Sequence, residues 1–272
     1  MPEAIDSGVA LTWIERVAEG RRETVRDEVA IEEPLEIRVD GRALAVTMRT
    51  PGHDEELAVG FLIGEGLIGG ADEVVSVGPN RELEANIVEV VTPAGLRRDP
   101  FDERRFHMTS SCGVCGKGAL EQVRLALPDR PPARVALGAD RVLDLPARAR
   151  AVQKAFDRTG GIHATALFGG EGPEPLVLRE DVGRHNAMDK AIGSLALAGA
   201  LGRTATVACL SGRIGFELVQ KAVVAGIGGI VAVGAPTSLA VSLAQEHDLL
   251  MCGFVRGGSF NVYAGATQLD SI

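Results

Sequence analysis

The chain is poor in aromatic side chains, which make up 4% of its 272 residues, with one Trp and one Tyr. Its hydrophobic fraction of 46% therefore rests on Ala, Val and Leu, an ordinary level for a soluble globular protein. Basic charge is also short: 28 Lys and Arg against 37 Asp and Glu leave a net charge of −9. That balance argues against a general nucleic-acid binder, yet leaves room for a local basic pocket for a phosphate-bearing ligand. The four cysteines, at 112, 115, 209 and 252, are too few and too scattered for a disulfide framework. Met1–Asp6 carries neither a basic region nor an apolar core, so no signal peptide is expected and the reducing cytoplasm is the expected compartment. No membrane span is expected either. The one long, weakly charged stretch, Ala222 to Ala244, is broken by Gly226, Gly228, Gly229, Gly234 and Pro236. Internal repeats, a G-x-x-x-x-G-K-[ST] phosphate loop, a Ser-His-Asp order and paired carboxylates are all missing, which removes the familiar hydrolase signatures.

Glycine is plentiful instead. Its 34 copies are about twice average usage and predict many tight turns. From Val25 to Val46 the pattern is strand-like: Val29-Ile31, Leu35-Ile37-Val39 and Leu44-Val46 alternate around a turn at Asp40-Gly41. Pro51-Gly52 ends this run, and Asp54 is expected to cap an apolar helix reaching Leu67. Strands at Glu73–Val77 and Asn86–Val91 complete a mostly antiparallel α+β N-terminal domain, assigned to residues 1–105. A basic stretch between Thr92 and Ser111 leads into the cysteine loop at 110–118, and a helix is expected from Lys117 to about Leu127.

Strands and helices then alternate. A helix is expected at about Asp144–Asp157, ending at Gly160-Gly161, then strands His163–Phe168 and Leu176–Arg179 and a helix from about Gly183 to Leu197. Strand Thr204–Leu210, helix Ile214–Ala225, strand Gly229–Val233 and helix Ser238–Glu246 follow, and strands Leu249–Val255 and Ser259–Tyr263 close the chain. This rhythm predicts an α/β domain over residues 106–272, with a mixed, largely parallel sheet covered by helices on both faces.

Four features could carry chemistry. Cys112 and Cys115 lie in Ser110-Ser111-Cys112-Gly113-Val114-Cys115-Gly116-Lys117-Gly118, just before the expected helix. Backbone N–H groups at a helix start, together with Lys117, favour the thiolate, the form that attacks and can hold a sulfane sulfur. Half of a zinc site, a thioredoxin-type redox pair and an inert loop stay open as other readings. No second C-x-x-C or H-x-x-x-H supplies further zinc ligands, so no structural metal is expected. Next, Asp181 is expected to cap a helix that carries Arg184 and His185 in its first turn. Positive charge there opposes the helix dipole and suits a docked phosphate; pairing of the arginines with Glu180 and Asp181 is the plainer alternative. The turns Ser211-Gly212-Arg213 and Gly234-Ala235-Pro236-Thr237-Ser238 also end strands, where ligands of open α/β sheets bind. Finally, Phe254-Val255-Arg256-Gly257-Gly258-Ser259 reads as a Gly-Gly hairpin whose Arg256 and backbone N–H groups could hold a phosphate or a purine edge. His163 reads more simply as a hydrogen-bonded core residue.

The order and spacing of Ser-Cys-Gly-Val-Cys-Gly at 111–116, Arg-Glu-Asp-Val-Gly-Arg-His-Asn at 179–186, Leu-Ser-Gly-Arg-Ile-Gly-Phe-Glu at 210–217 and Gly-Ala-Pro-Thr-Ser-Leu-Ala at 234–240 resemble the formate dehydrogenase accessory sulfurtransferase family (FdhD). The resemblance runs from about Glu33 to the C-terminus. It implies a cytidine-deaminase-like fold, homodimers, and transfer of sulfane sulfur from a cysteine desulfurase to the molybdenum bis(guanine dinucleotide) cofactor before its insertion into formate dehydrogenase. It further implies that Cys112 bears the persulfide, that Cys115 helps it, and that Phe254 to Ser259 form the cofactor-binding hairpin. Deaminase activity is not expected, because the H-x-E and P-C-x-x-C zinc set is absent.

Overall fold

The computed structural model of the chain describes residues 3–4, 6, 8–79, 86–98, 132–169, 172–203 and 206–270. The cysteine loop with Cys112 and Cys115, and the helix expected from Lys117, lie outside the described residues.

Three sheets form. In the first, β1 (Glu3–Ala4), β2 (Val9–Ala18) and β3 (Arg21–Ala30) pair in sequence order. The β2–β3 turn places Glu19 and Gly20 at φ 48° and 75°, the left-handed pair that a two-residue hairpin needs. Most of this hairpin escapes the sequence pattern for a physical reason. Its distal half packs neither face, so Glu15, Arg16, Arg22 and Glu23 replace alternation, and Trp13 and Val17 stand 64% and 66% exposed.

The second sheet has the order β5-β4-β7-β6, built from β4 (Glu33–Val39), β5 (Arg42–Arg49), β6 (Ser76–Pro79) and β7 (Ile87–Val91). Leu35, Ile37 and Val39 point inward and are each 1% exposed, as their alternation predicts. Asp40 and Gly41 make the expected turn, both at positive φ. The expected strand start at Glu73 is instead a short 3-10 turn, Ala71–Glu73.

Helix α1 (Asp54–Gly64) is buried from Leu57 onward on every side, so it belongs to the interior. Asp54 is not its cap. His53 takes that position in the left-handed conformation, while the Asp54 carboxylate accepts two hydrogen bonds, of 2.9 and 3.0 Å, from the buried Arg49 guanidinium. A buried guanidinium needs a counterion more than this helix needs a side-chain cap.

The third sheet contains β8 (His163–Gly169), β9 (Val177–Asp181), β10 (Thr206–Leu210), β11 (Gly229–Ala232), β12 (Leu250–Arg256) and β13 (Ser259–Ala264), in the order β13-β12-β11-β10-β8-β9. It is mixed, as expected, but its parallel part is confined to β10, β11 and β12. The β8–β9 and β12–β13 connections are too short for a crossover helix, so those pairs run antiparallel.

One face of this sheet is covered by α2 (Ala139–Ala151), whose Val142, Leu145 and Ala149 pack on Val207, Cys209, Val231 and Cys252. The expected helix at 144–157 is in fact two helices, since α3 (Lys154–Thr159) starts anew after Gln153. Glu180 dictates this break: its carboxylate accepts hydrogen bonds from the N–H groups of Ala155 (2.9 Å) and Phe156 (2.8 Å).

The other face is covered by α4 (Arg184–Leu197), α5 (Phe216–Val224) and α6 (Ser238–Glu246), and these share one apolar cluster with α1 and the second sheet. Helices α1 and α4 cross at Gly60 and Gly193. A Cβ on Gly60 would sit 1.8 Å from the carbonyl oxygen of Asp189, and one on Gly193 would sit 1.8 Å from that of Glu56. Only glycines permit so close an approach.

Candidate functional site

The turns singled out in the sequence meet at one end of the third sheet, beyond the C-terminal ends of β10, β11 and β12. The backbone N–H groups of Ile214 and Thr237 reach Ala235 and Ile214 carbonyls at 3.0 Å each, lacing the turn after β10 to the turn after β11. The N–H of Phe254 donates to the carbonyl of Gly234 at 3.1 Å, joining the third turn to them. Phe254 itself adopts φ 55°, at a register shift between Gly253 and Arg256. An aromatic residue in the left-handed region is strained backbone, held here by its neighbours. Gly257 and Gly258, at φ 61° and 76°, then close the hairpin between the paired Arg256 and Ser259. The Ser259 hydroxyl donates back to the Arg256 carbonyl at 3.4 Å.

The opposite edge of the site is set by the start of α4. Gly183 is the N-cap of this helix, not Asp181 as the sequence suggested. Asp181 is wholly buried; its carboxylate accepts hydrogen bonds from Gly183 N (2.8 Å) and Asn186 Nδ2 (3.0 Å) and pairs with Lys190 Nζ at 2.7 Å. Glu180 is committed to α3, and Arg179 to Glu56. The neighbouring acids are thus spoken for. Arg184, Arg213 and Arg256 have no ion-pair partner among the described residues, although Arg256 lies 5.7 Å over the ring of Phe254. His185, next to Arg184, does have one, with its Nε2 2.7 Å from Glu217.

A cavity of about 700 Å³ opens between these turns and the α2–α3 break. Val255, Arg256 and Gly257 form one wall, while His163 and Ser211 stand on another. Phe254, Gly258 and Ser259 shape the hairpin from outside the cavity lining. His163 Nδ1 lies 3.4 Å from Ser211 Oγ, which in turn accepts the N–H of Ala164 at 2.9 Å. Burial, and then the positive fields of Arg184, His185 and Arg213, hold the His163 pKa below its usual value. Arg184 and Arg213 thus act on His163 through their charge, but neither is part of the cavity lining. Gln153 and Phe156 also line it, and sequence reasoning passed over both, because the helix break that presents them is made by Glu180, remote in sequence.

Buried charge stiffens this end of the molecule. Lys221 Nζ sits 2.8 Å from Asp189 and 3.4 Å from Glu65, joining α5, α4 and the end of α1. Burial pushes the Asp189 carboxyl up to about 6 despite Lys221. The two carboxylates hold Lys221 protonated against the opposing effect of burial. The remaining cysteines are buried in the strands: Cys209 in β10, against the cavity, and Cys252 in β12, each thiol pushed up to about 12 by burial.

Fold and site together define an α/β protein with a cavity at the strand ends, lined by Arg256, which has no ion-pair partner among the described residues, an arrangement suited to an anionic ligand. A model described as the FdhD/NarQ family matches residues 30–270, and the chain belongs to that family. Similar relatives include the sulfur carrier protein FdhD of Streptomyces avermitilis, 49% identical over 93% of each chain. The sulfur carrier protein FdhD of Mycolicibacterium paratuberculosis is 49% identical, covering 89% of this chain and 92% of its own. A crystal structure from Desulfotalea psychrophila, described as that of a formate dehydrogenase accessory protein, shares the fold with a TM-score of 0.76 at 24% identity, covering 96% of this chain and 99% of its own.

Proposed function

We propose that this protein is a sulfur carrier for formate dehydrogenase, taking sulfane sulfur from a cysteine desulfurase and passing it to a molybdenum bis(guanine dinucleotide) cofactor bound as substrate. The names of its relatives support the sulfur-carrying part. The observation that carries the cofactor part is Arg256 in the cavity wall, with Arg184 and Arg213 acting on His163 in the same lining, all three without ion-pair partners among the described residues. Unpaired guanidinium groups at helix starts and strand ends fit the pyrophosphates of a dinucleotide.

In this reading the Cys112 thiolate attacks the outer sulfur of the desulfurase persulfide. A bond forms between that sulfur and Cys112, the sulfur–sulfur bond in the desulfurase breaks, and its cysteine leaves as thiolate. The arginines and the Phe254–Ser259 hairpin hold the nucleotide arms of the cofactor. Attack of the Cys115 thiolate on Cys112 then forms a disulfide and releases the outer sulfur, as sulfide, to molybdenum; a cellular thiol reduces the disulfide before the next cycle. The protein works in the cytoplasm, as a homodimer.

The test is incubation of the purified protein with a cysteine desulfurase and cysteine, followed by intact-mass measurement beside Cys112→Ala and Cys115→Ala. A gain of one sulfur that vanishes in Cys112→Ala is expected. No gain with an active desulfurase would leave a cofactor-binding chaperone in place of a carrier.

A further inference from the structure

The distal part of the β2–β3 hairpin is a ribbon of two strands. Such a ribbon is marginally stable by itself in water, and its edges are templates for further pairing. β1 occupies the outer edge of β2 only at Ala10 and Leu11. From Thr12 to Ala18 that edge pairs with no strand among the described residues. The hairpin closes at the pair Ala18 and Arg21 through a two-residue turn, so these two exchange hydrogen bonds. Alternation along the ladder then turns the N–H and carbonyl groups of Trp13, Glu15 and Val17 away from β3, toward the free edge.

The side chains on this edge are apolar where an exposed edge normally carries charge. Trp13 and Val17 are exposed on one face of β2, with Glu15 midway between them. The Arg26 guanidinium lies 5.1 Å over the Trp13 ring. Glu15 is compensated inside its own hairpin, by Arg22 at 3.4 Å and by the Thr24 hydroxyl, which donates to it at 3.0 Å. A second copy of this edge, turned about a two-fold axis through Glu15, sets Trp13 of each copy opposite Val17 of the other. An axis at Ile14 or at Arg16 would put Glu15 opposite Trp13 or Val17 instead. On the β3 edge the equivalent axis, at Thr24, would oppose Arg22 to Arg26, two like charges.

We propose that the protein dimerises through β2, which pairs antiparallel with β2 of a second copy around a two-fold axis at Glu15 and joins the two hairpins into one four-stranded sheet. Two Trp13–Val17 contacts flank the axis on one face, while each Glu15 carboxylate is drawn back toward its own β3. This rests on the homodimer in the reading above and is independent of its sulfur chemistry.

Cross-linking and sedimentation velocity on the full chain test the contact. In a Cys112→Ala, Cys115→Ala background the remaining cysteines are buried, and Glu15→Cys adds one thiol at the axis. Opposed residues that exchange hydrogen bonds have Cα atoms roughly 5.5 Å apart, within the span of a disulfide. Under mild oxidation Glu15→Cys is therefore expected to become a disulfide-linked dimer on a non-reducing gel. Thr24→Cys, also exposed but on β3, is expected to stay unlinked. With the native cysteines in place, Trp13→Glu is expected to weaken the dimer by about 100-fold, because both copies lose a covered indole, and to keep the wild-type circular dichroism. Linking of Thr24→Cys in place of Glu15→Cys, or of both alike, would overturn the edge and the register. A wild-type dimer that Glu15→Cys does not link and Trp13→Glu does not weaken would put the homodimer contact elsewhere and overturn this inference alone. A wild type that sediments as a monomer at every concentration would remove the homodimer and this inference with it, leaving sulfur uptake to its own mass measurement.

Discussion

Replacing Lys190 by Met would leave Asp181 as a buried charge without a counterion. Lys190 is 1% exposed; its Nζ lies 2.7 Å from the Asp181 carboxylate and donates to the Thr50 carbonyl at 2.7 Å. Removing one partner of a buried pair costs about 3–5 kcal/mol, out of a total stability of about 5–15 kcal/mol. Three N–H donors remain on Asp181, from Thr50 (3.2 Å), Gly183 (2.8 Å) and Asn186 (3.0 Å), which puts the expected loss near 3 kcal/mol. A proton can also neutralise the stranded charge. Burial already raises the Asp181 pKa against the opposing pull of Lys190, so loss of the lysine raises it further. A folded-state value above the unfolded one favours the folded form at low pH, and this advantage disappears as pH rises through it. The deficit of Lys190→Met is therefore expected to shrink in mildly acidic buffer. Adding Asp181→Asn should restore most of the loss at neutral pH. Urea denaturation of the single and double variants, at neutral pH and again in acid, measures all three effects. A single-variant loss below about 1 kcal/mol, or one indifferent to pH, would refute the picture of a charge-compensated joint between Thr50 and α4.

His163 is held below its usual pKa by burial and by Arg184, His185 and Arg213, with Asp181 opposing them weakly. The stability linked to it is present above the unfolded value and lost as pH falls toward the folded one. NMR titration of the His163 ring should give a depressed pKa that rises when pyrophosphate saturates the protein; an unchanged value would separate the anion site from this wall. Cys209 and Cys252, pushed up to about 12, should resist alkylation in the native protein at mildly alkaline pH. Intact mass after brief iodoacetamide treatment should therefore show adducts on Cys112 and Cys115 alone, and an adduct on either strand cysteine would contradict the burial.

Much of the fold was legible because the inner strands announce themselves. Leu35-Ile37-Val39 and Ile230-Val231-Ala232 carry their burial in their pattern, and Gly257-Gly258 carries its turn. The elements that were misread are those determined by a distant partner. Glu180 splits the helix that local pattern runs together, Arg49 takes Asp54 away from capping, and Lys190 takes Asp181. The site behaved in the same way. Arg256 could be singled out because it follows a strand in turn-like surroundings, whereas Gln153 and Phe156, which line the same cavity, carry no local mark. They reach the cavity because Glu180, remote in sequence, breaks the helix there.

The glycine crossing of α1 and α4 restricts how this protein can be taken apart or recombined. Gly60 and Gly193 stand 133 positions apart, yet each is required by the other helix's backbone. The same joint carries the Arg179–Glu56 pair and the Lys221–Asp189–Glu65 cluster. A chimaera that took its first half from one relative and its second from another would have to preserve both glycines and match these charges across the seam. Substitutions accumulating on either side are consequently not free of one another. In a lineage, the two halves are expected to change as partners rather than as exchangeable parts.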